Sequence, residues 1–290
     1  QTAKEEETEK ISFPGAYQEV RVEGSHVTGD LVCESGSLPM DAEITQMTRE
    51  VYTGTLEAKP IDVEALKNLY TAGTSDGWEQ SDAYGWQYQD QHIYADSNIE
   101  FATYSNGEIV NGQTEGLEQA EEGKELEFCR QIMERFWEES IVQEVNKNTS
   151  HYTAQMLLEG LPVNNNYGQQ WETSGDIVLE NGFLADLTVW GNYSVTSKEE
   201  VVLLDMREIF KQVEEYMADG EIDVSGNVYP VTEISLEYHV EMTREGLVFR
   251  PIWKFQYSEN WGQDDEPYDV DLYFCMDAVT GALVCDTFGY

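Results

Sequence analysis

Residues 231–243, VTEISLEYHVEMT, carry the pattern that decides the fold. Apolar and polar side chains alternate along this stretch, which is typical of a β-strand with one buried and one wet face. The apolar members are Ile234, Leu236, Tyr238, Val240 and Met242. Residues 247–255 and 270–276 alternate in the same way. The sequence therefore predicts three antiparallel strands near the end of the chain.

Three other stretches predict helices. Residues 61–72 and 117–142 repeat apolar side chains at helical spacing, and Gly73 is a suitable stop for the first. Ser197-Lys198-Glu199-Glu200 matches a capping box, which would open a helix that ends at Gly220. A helix beside a one-sided sheet covers its apolar face. The predicted fold class is α+β, with antiparallel sheets that are each packed with a long helix.

Two Asn-Gly pairs, at 106–107 and at 181–182, are each flanked by strand-like stretches. Asn-Gly is a strong short signal for a two-residue hairpin turn. Residues 143–150 are polar and lack a period, so the domain boundary is predicted there. We expect a polar tether at 1–10, an N-terminal α+β domain at 11–145 and a C-terminal α+β domain at 146–290.

The chain is strongly acidic. Its 290 residues include 57 Asp and Glu but only 16 Lys and Arg, which gives a formal net charge of −41. Nucleic-acid backbones require Lys and Arg clusters, so a nucleic-acid partner is excluded. An anionic membrane surface would repel the chain, and no apolar run is long enough to span a bilayer. Any membrane attachment is therefore expected to be a lipid anchor at the N-terminus.

The four cysteines form neither a CxxC motif nor a metal-ligand spacing. Cys129 lies on the apolar side of a predicted helix, where a buried thiol is the default. Cys275 and Cys285 flank the last predicted hairpin and have the same parity. They are directly opposite only if the numbers of paired residues sum to 560. A register two residues tighter leaves them diagonal, ~7–8 Å apart and beyond disulfide reach.

The final hairpin contains Asp277-Ala278-Val279-Thr280-Gly281, and the strand before that hairpin contains Pro251-Ile252-Trp253-Lys254. The hairpin resembles the Asp-Ala-x-Thr-Gly turn that closes PepSY-type domains. The stretch 151–290, including Gly160-Leu161-Pro162-Val163, is similar to the YycI-like extracytoplasmic modules of Gram-positive bacteria. The resemblance implies a cystatin- or PepSY-like C-terminal half. It also implies a secreted, membrane-anchored or lipoprotein-borne regulatory module without catalytic residues.

Residues 73–91 form a polar loop that contains several large aromatics. The candidate ligand-binding residues are Trp78, Tyr84, Trp86 and Tyr88. Together they could form a sugar-stacking platform or an anchor for a partner. If 84–88 is a strand, its three aromatics share a face, and packing in the core is then the simpler interpretation.

A calcium site is the one cofactor that the sequence brings into consideration. The densest acidic cluster spans 264–271. Its carboxylates are Asp264, Asp265, Glu266, Asp269 and Asp271. Calcium prefers clustered carboxylate oxygens, but a solvated hairpin loop is the favoured interpretation because composition does not show a chelating geometry.

These observations favour a non-enzymatic bacterial surface protein that is anchored outside the cytoplasm. Its expected role is protein interaction or regulation with a partner at the cell envelope. A glycan-binding surface protein that uses the aromatic platform is the first alternative. A hydrolase with an acidic cleft is the second. Gly73-Thr74-Ser75-Asp76-Gly77 matches a nucleophile elbow, but a predicted helix precedes it where that motif needs a strand.

Overall fold

The computed structural model describes thirteen ranges of the chain. They are residues 9–11, 20–34, 36–45, 50–69, 76–96, 101–110, 114, 117–146, 150–164, 175–224, 229–244, 246–260 and 269–286. Strand accounts for 58% of the structure and helix for 15%. These ranges hold nineteen strands and four helical segments, one of which is a single turn.

The elements follow one another in this order. The first strands are β1 (Glu9–Ile11), β2 (Val20–Glu23), β3 (His26–Cys33), β4 (Gly36–Ile44) and β5 (Val51–Ala58), followed by α1 (Val63–Asn68). Next are β6 (Glu79–Gln80), β7 (Gly85–Tyr88), β8 (Gln91–Asp96), β9 (Phe101–Asn106), α2 (Gly107–Val110) and α3 (Glu125–Met133). Then come β10 (Ser140–Asn146), β11 (His151–Leu158), β12 (Leu161–Asn164), β13 (Gly175–Glu180), β14 (Phe183–Trp190) and β15 (Tyr193–Val201). The last are α4 (Met206–Asp219), β16 (Val231–Thr243), β17 (Gly246–Asn260), β18 (Asp269–Asp277) and β19 (Leu283–Asp286).

The predicted α+β class is wrong. The molecule is a β-rich fold with a mixed sheet, in which β4 and β16 run parallel and the other strand pairs detailed below are antiparallel. Only α4, with 14 residues, has the length that was expected of each helix. Strands outnumber helices in the structure because most of the chain between the predicted helices, and part of those helices themselves, pairs into sheet.

The predicted helix 117–142 is much shorter in the structure. Its helical part is α3, nine residues long, and residues 140–146 form β10 instead. The backbone N–H groups of Phe136 and Trp137 donate to the carbonyl of Met133, which closes the last turn. The Trp137 indole then donates to the Gly191 carbonyl at 2.9 Å. This buried contact fixes the chain where the helix ends, and tertiary pairing overrides the helical pattern beyond it.

The capping box at 197–200 is not a helix start. These residues lie in β15, and the N-cap of α4 is Asp205, whose carboxylate accepts from the Arg207 N–H at 2.9 Å. The predicted end at Gly220 is confirmed, because Gly220 has a φ of 76° at the C-cap. Four apolar residues of α4 are buried, namely Ile209, Phe210, Val213 and Met217.

The two Asn-Gly pairs behave differently. Asn181-Gly182 joins β13 to β14 with φ values of 54° and 82°, so that hairpin is confirmed. Asn106 instead ends β9, and Gly107 begins the short segment α2. Asn106 is buried, and the Gly107 N–H donates to the Asp90 carbonyl at 3.0 Å. These contacts direct the chain away from a hairpin.

Contacts divide the chain into two compact units. The first unit comprises Gln1–Thr53, Glu199–His239 and Arg250–Tyr290, and the second comprises Gly54–Lys198 and Val240–Phe249. Each unit combines segments from before and after residue 146. The division into folding domains at 11–145 and 146–290 stays a prediction.

The second unit is built on an open antiparallel sheet. Its strand order is β10-β11-β13-β14-β9-β8-β7-β6. Inner-face residues such as Tyr152, Ile177 and Leu187 are buried, as are Cys129 and Met133 of α3. The other face of the sheet is more polar, as the alternating burial of β11 and β13 indicates.

The first unit contains most of the strands that the opening pattern predicted, because residues 231–239, residues 250–260 and β18 belong to it, whereas Val240–Phe249 belong to the second unit. The ribbon β1-β2-β3-β4 is antiparallel, and β17-β18-β19 forms a second antiparallel ribbon. Phe210 of α4 contacts Phe255 at 6.2 Å between ring centroids, and Phe255 stacks on Phe274 at 4.6 Å. The amphipathic helix therefore covers an aromatic core on β17 and β18.

Candidate functional site

An open groove of about 560 Å³ lies beside the β6–β7 hairpin in the described part of the second unit. Its lining residues are Gly77, Glu79, Gln80, Ser81, Gln87, Tyr88 and Gln89. We call this feature the glutamine groove. A second cavity, near Leu69 and Ile132, measures only about 10 Å³ and is too small for a ligand.

A compact loop holds the groove between β6 and β7. The Ser81 N–H donates to the Gly85 carbonyl at 2.9 Å, and the Tyr84 N–H donates to the Asp82 carboxylate at 2.8 Å. A Cβ at Gly85 would lie 2.6 Å from the Ser81 hydroxyl oxygen, so a side chain there would push the loop open. Ser81 therefore keeps its position beside Gln87 because of the local sequence.

Tyr88 forms an aromatic wall of the groove. Its ring centroid lies 5.8 Å from that of Trp78, and the two rings are tilted by 39°. Gly77 has a φ of +97°, and a Cβ there would lie only 2.8 Å from a Tyr88 ring carbon. The Gly77 backbone is thus in direct contact with the Tyr88 ring. Glycine is required at residue 77 because of its positive φ and because a Cβ would overlap that ring.

The rest of the lining is polar and carries few charges. Gln80, Gln87 and Gln89 each supply an amide that can both donate and accept hydrogen bonds. The Gln87 Nε2 donates to the Gln89 carbonyl at 3.0 Å, which links β7 to the first residue of the turn that follows it. Glu79 supplies the one carboxylate of the lining, and no Lys or Arg is among the lining residues in the described ranges.

The four aromatics from the sequence do not form a single platform. Trp78 and Tyr88 are brought together, but Tyr84 instead pairs with Tyr94 at 5.9 Å between centroids. Trp86 lies beneath the Lys67 ammonium of α1, 5.5 Å from its ring centroid. Tyr84 departs from the pattern because it precedes β7, in the turn that Asp82 stabilises.

None of these four aromatics is fully buried. Tyr84 is 39% exposed, and Trp78, Trp86 and Tyr88 are partly buried. Sequence reasoning singled out the rings but missed the groove's glutamines. The available signal was the alternation of aromatics and glutamines in Trp86-Gln87-Tyr88-Gln89.

The acidic cluster proposed for calcium falls mostly outside the described residues. Asp264, Asp265 and Glu266 are not among them, and Asp269 and Asp271 have only their backbone described, as partners of Asn260 and Ser258. Within the described ranges, no group of three His, Cys, Asp or Glu side chains is placed to hold a metal ion. Calcium binding stays a prediction.

A second group of titratable side chains lies on β11, β13 and β14, away from the groove. His151 Nε2 contacts a carboxylate oxygen of Asp176, which is two residues along β13 from the position opposite His151. Partial burial, with the charges of Asp176 and Glu180, raises the pKa of Asp186 above its usual range. No local sequence pattern indicates this group, since its members are far apart along the chain.

None of the described helices combines the length and hydropathy that are needed to cross a membrane. No protein-family model matches the chain, and no curated protein matches it. One similar solved structure is an uncharacterised protein from Eubacterium rectale. It is 18% identical, with a TM-score of 0.54, and the match covers 86% of this chain and 90% of that one. At this identity the likeness concerns the fold alone.

Proposed function

We propose that this protein is a non-catalytic binding protein of the bacterial surface and that the glutamine groove holds an uncharged or amino-bearing glycan. The observation that carries the proposal is the composition of the groove. It combines an aromatic wall, Tyr88, with three glutamine side chains and a serine hydroxyl.

The polar groups of the groove match the chemistry of sugars. Each sugar hydroxyl both donates and accepts a hydrogen bond, and so do the amides of Gln80 and Gln87 and the hydroxyl of Ser81. The C–H face of a sugar ring is apolar and can pack on an aromatic ring. The position of Tyr88 is fixed by its close contact with the Gly77 backbone and by its ring contact with Trp78.

Charge narrows the class of glycan. Glu79 lies in the lining and Asp82 is exposed in the adjoining loop, while the whole chain has a net charge of −41. A polymer that carries carboxylates, sulfates or phosphates would be repelled at this site. Neutral sugars are accepted, and an amino sugar gains attraction from Glu79.

The same lining supports binding more than hydrolysis. Glycoside hydrolysis uses a pair of carboxyl groups across the scissile bond. Among the groove residues that the structure describes, Glu79 is the one carboxylate. Ser75 of the elbow-like motif lies outside the described residues.

The surface location rests on the sequence. The resemblance of 151–290 to extracytoplasmic modules and the polar residues 1–10 support it, with a lipid as the expected anchor. In that setting a glycan of the cell envelope or the surroundings is the accessible ligand.

A binding screen with matched variants tests the proposal. The wild-type protein and the double variant Gln80→Ala/Gln87→Ala are applied to an array of neutral, amino-bearing and acidic glycans. Positive glycans are then measured by calorimetry. We expect the wild type to bind neutral or amino-bearing members and the double variant to bind at least about tenfold more weakly, since each lost hydrogen bond is worth ~1 kcal/mol.

The control is Gln143→Ala, which removes an exposed glutamine from β10, outside the groove lining. It should bind like the wild type. The proposal fails if no glycan binds, if acidic glycans bind best, or if the double variant binds as well as the control.

A second candidate is the protein-interaction role that the sequence favours, as a regulatory module for a sensor or protease of the envelope. The observation in its favour is the Tyr84–Tyr94 pair, in which each side chain is 39% exposed. Exposed tyrosines are frequent anchors of protein interfaces. A pull-down from cell envelopes should recover a partner with the wild type and lose it with Tyr84→Ala/Tyr94→Ala. Equal recovery by both proteins would remove this candidate.

A further inference from the structure

The last two strands carry two of the four cysteines at matched positions. In the antiparallel pair β18–β19, Phe274 lies opposite Asp286 and Cys275 lies opposite Cys285. The paired numbers sum to 560, which is the register that a bond between these cysteines requires.

A bulge produces this register. Met276 lies opposite Leu283, so continuing that register unchanged would place Val284 opposite Cys275. The shift of one residue between Cys275 and Met276 brings Cys285 to that place instead.

We propose that Cys275 and Cys285 form an intrachain disulfide that fastens β19 to β18. Directly opposite residues of an antiparallel pair have Cα atoms ~4.5–5.5 Å apart. Disulfides span Cα separations of ~4.4–6.8 Å, so the backbone needs no rearrangement to accept the bond. Directly opposite positions also share one face of the sheet.

The surroundings of Cys275 suit such a bond. Cys275 is fully buried and packs with Ile252, Tyr273 and Val284. On its other side, Lys254 of β17 is its partner in register. Once formed, a disulfide at this buried position is shielded from reductants in the solvent, since exposed disulfides are the labile ones.

The two remaining cysteines are placed differently. Cys33 lies in β3, and its Sγ is 3.6 Å from the Gly36 carbonyl oxygen, to which it donates. Cys129 lies in α3 of the second unit, where burial and then Glu125 raise the pKa of its thiol to about 12. Cys129 therefore stays protonated at neutral pH, and Cys285 is the matched partner of Cys275.

The chemistry is balanced by a disulfide oxidant such as oxidised glutathione. The thiolate of one cysteine attacks a glutathione sulfur, which forms a mixed disulfide and releases one reduced glutathione. The thiolate of the second cysteine then attacks the protein sulfur and releases the other. The two cysteines together lose two protons and two electrons, and both are taken up by the two glutathione thiols.

Mass spectrometry tests the bond directly. The full chain is folded in a buffer of oxidised and reduced glutathione. It is then denatured in the presence of iodoacetamide, which alkylates free thiols, and digested with trypsin. No Lys or Arg follows Lys254, so both cysteines lie in the peptide 255–290. We expect this peptide to carry no alkyl group and to be two hydrogens lighter than its reduced form, whereas Cys33 and Cys129 are alkylated.

Two further samples complete the experiment. Prior reduction with dithiothreitol should give alkylation of all four cysteines, and Cys285→Ser should leave Cys275 alkylated. Alkylation of both Cys275 and Cys285 in the oxidised wild type would overturn the proposal, and so would a disulfide that joins another pair. Because the mass of the wild-type peptide is sufficient, the result does not depend on the folding of the variant or on glycan binding.

Discussion

Replacing Gly77 by alanine tests the wall of the glutamine groove. Two costs add at this position. A non-glycine residue in the left-handed region costs about 1–2 kcal/mol, and the φ of +97° lies beyond the region that alanine tolerates best. The new Cβ would also lie 2.8 Å from a Tyr88 ring carbon, and relieving such an overlap costs about 1–3 kcal/mol.

The matched control is Gly123→Ala in the same unit. Gly123 has a φ of +78°, and a Cβ there would meet nothing within 4 Å. This variant therefore has the backbone cost alone, about 1–2 kcal/mol. Gly77→Ala should be less stable than Gly123→Ala by at least ~1 kcal/mol, the lower bound of the overlap cost.

Urea unfolding of the wild type and both variants measures the difference. The free energy of unfolding follows from the midpoint and the slope, which should be unchanged because the same surface is exposed. If the two variants lose equal stability, Tyr88 does not rest on the Gly77 backbone and the account of the wall is wrong.

Three further substitutions test other parts of the structure. Gly54→Ala should cost more than ~3 kcal/mol or abolish folding, because its Cβ would lie 2.0 Å from a carbonyl oxygen of β15; soluble protein with wild-type urea stability would contradict this. Asp186→Asn should raise the melting temperature at pH 7, since the raised pKa of Asp186 means that its ionised form destabilises the fold. That gain should vanish near pH 3, where the carboxyl is protonated in both the folded and unfolded states, and a gain that is the same at both pH values would contradict it. Lys254→Met should lower the free energy of unfolding in urea by about 3–5 kcal/mol, because the buried Glu237 carboxylate, 3.9 Å from the Lys254 ammonium, loses that cation. Adding Glu237→Gln should recover most of the lost stability, and a double variant that recovers none would refute the role of the pair.

The sequence predicted the C-terminal strands well because their alternation has a simple physical cause. Residues 269–277 place Phe274 in the aromatic core that α4 covers, and residues 231–243 bury Ile234, Leu236 and Tyr238. Even there, Glu237 and His239 are buried although the pattern places them on the wet face. Alternation indicates two faces but does not tell whether the second face is also covered.

The long predicted helices failed for a different reason. The apolar spacing in 117–142 fits a helix, but residues 140–146 gain more by pairing with β11. Residues 197–200 likewise lie in a strand instead of a helix, and there the Thr55 hydroxyl oxygen lies 2.6 Å from the Ser197 hydroxyl oxygen. Local patterns do not contain these partners, since Thr55 is 142 residues away in the chain.

The candidate site was predictable in place but not in composition. The aromatic-rich stretch 78–88 marked the region, and part of it lines the groove. The separation of Tyr84 and Trp86 from the Trp78–Tyr88 pair depends on a turn and on Lys67 of α1. Gln80, Gln87 and Gln89 line one groove only because β6, β7 and the turn after β7 are adjacent in the fold.

The central claim, that the glutamine groove binds a neutral or amino-bearing glycan, is tested most directly by NMR. A ¹⁵N-labelled sample is titrated with a binding oligosaccharide from the array, and the side-chain amides of Gln80, Gln87 and Gln89 are followed, with Gln143 and Gln155 as references outside the groove. The account predicts saturable shifts of the three groove amides and little change in the references. Saturable shifts that are confined to residues outside the groove, or no shifts with any neutral or amino-bearing oligosaccharide, would contradict it.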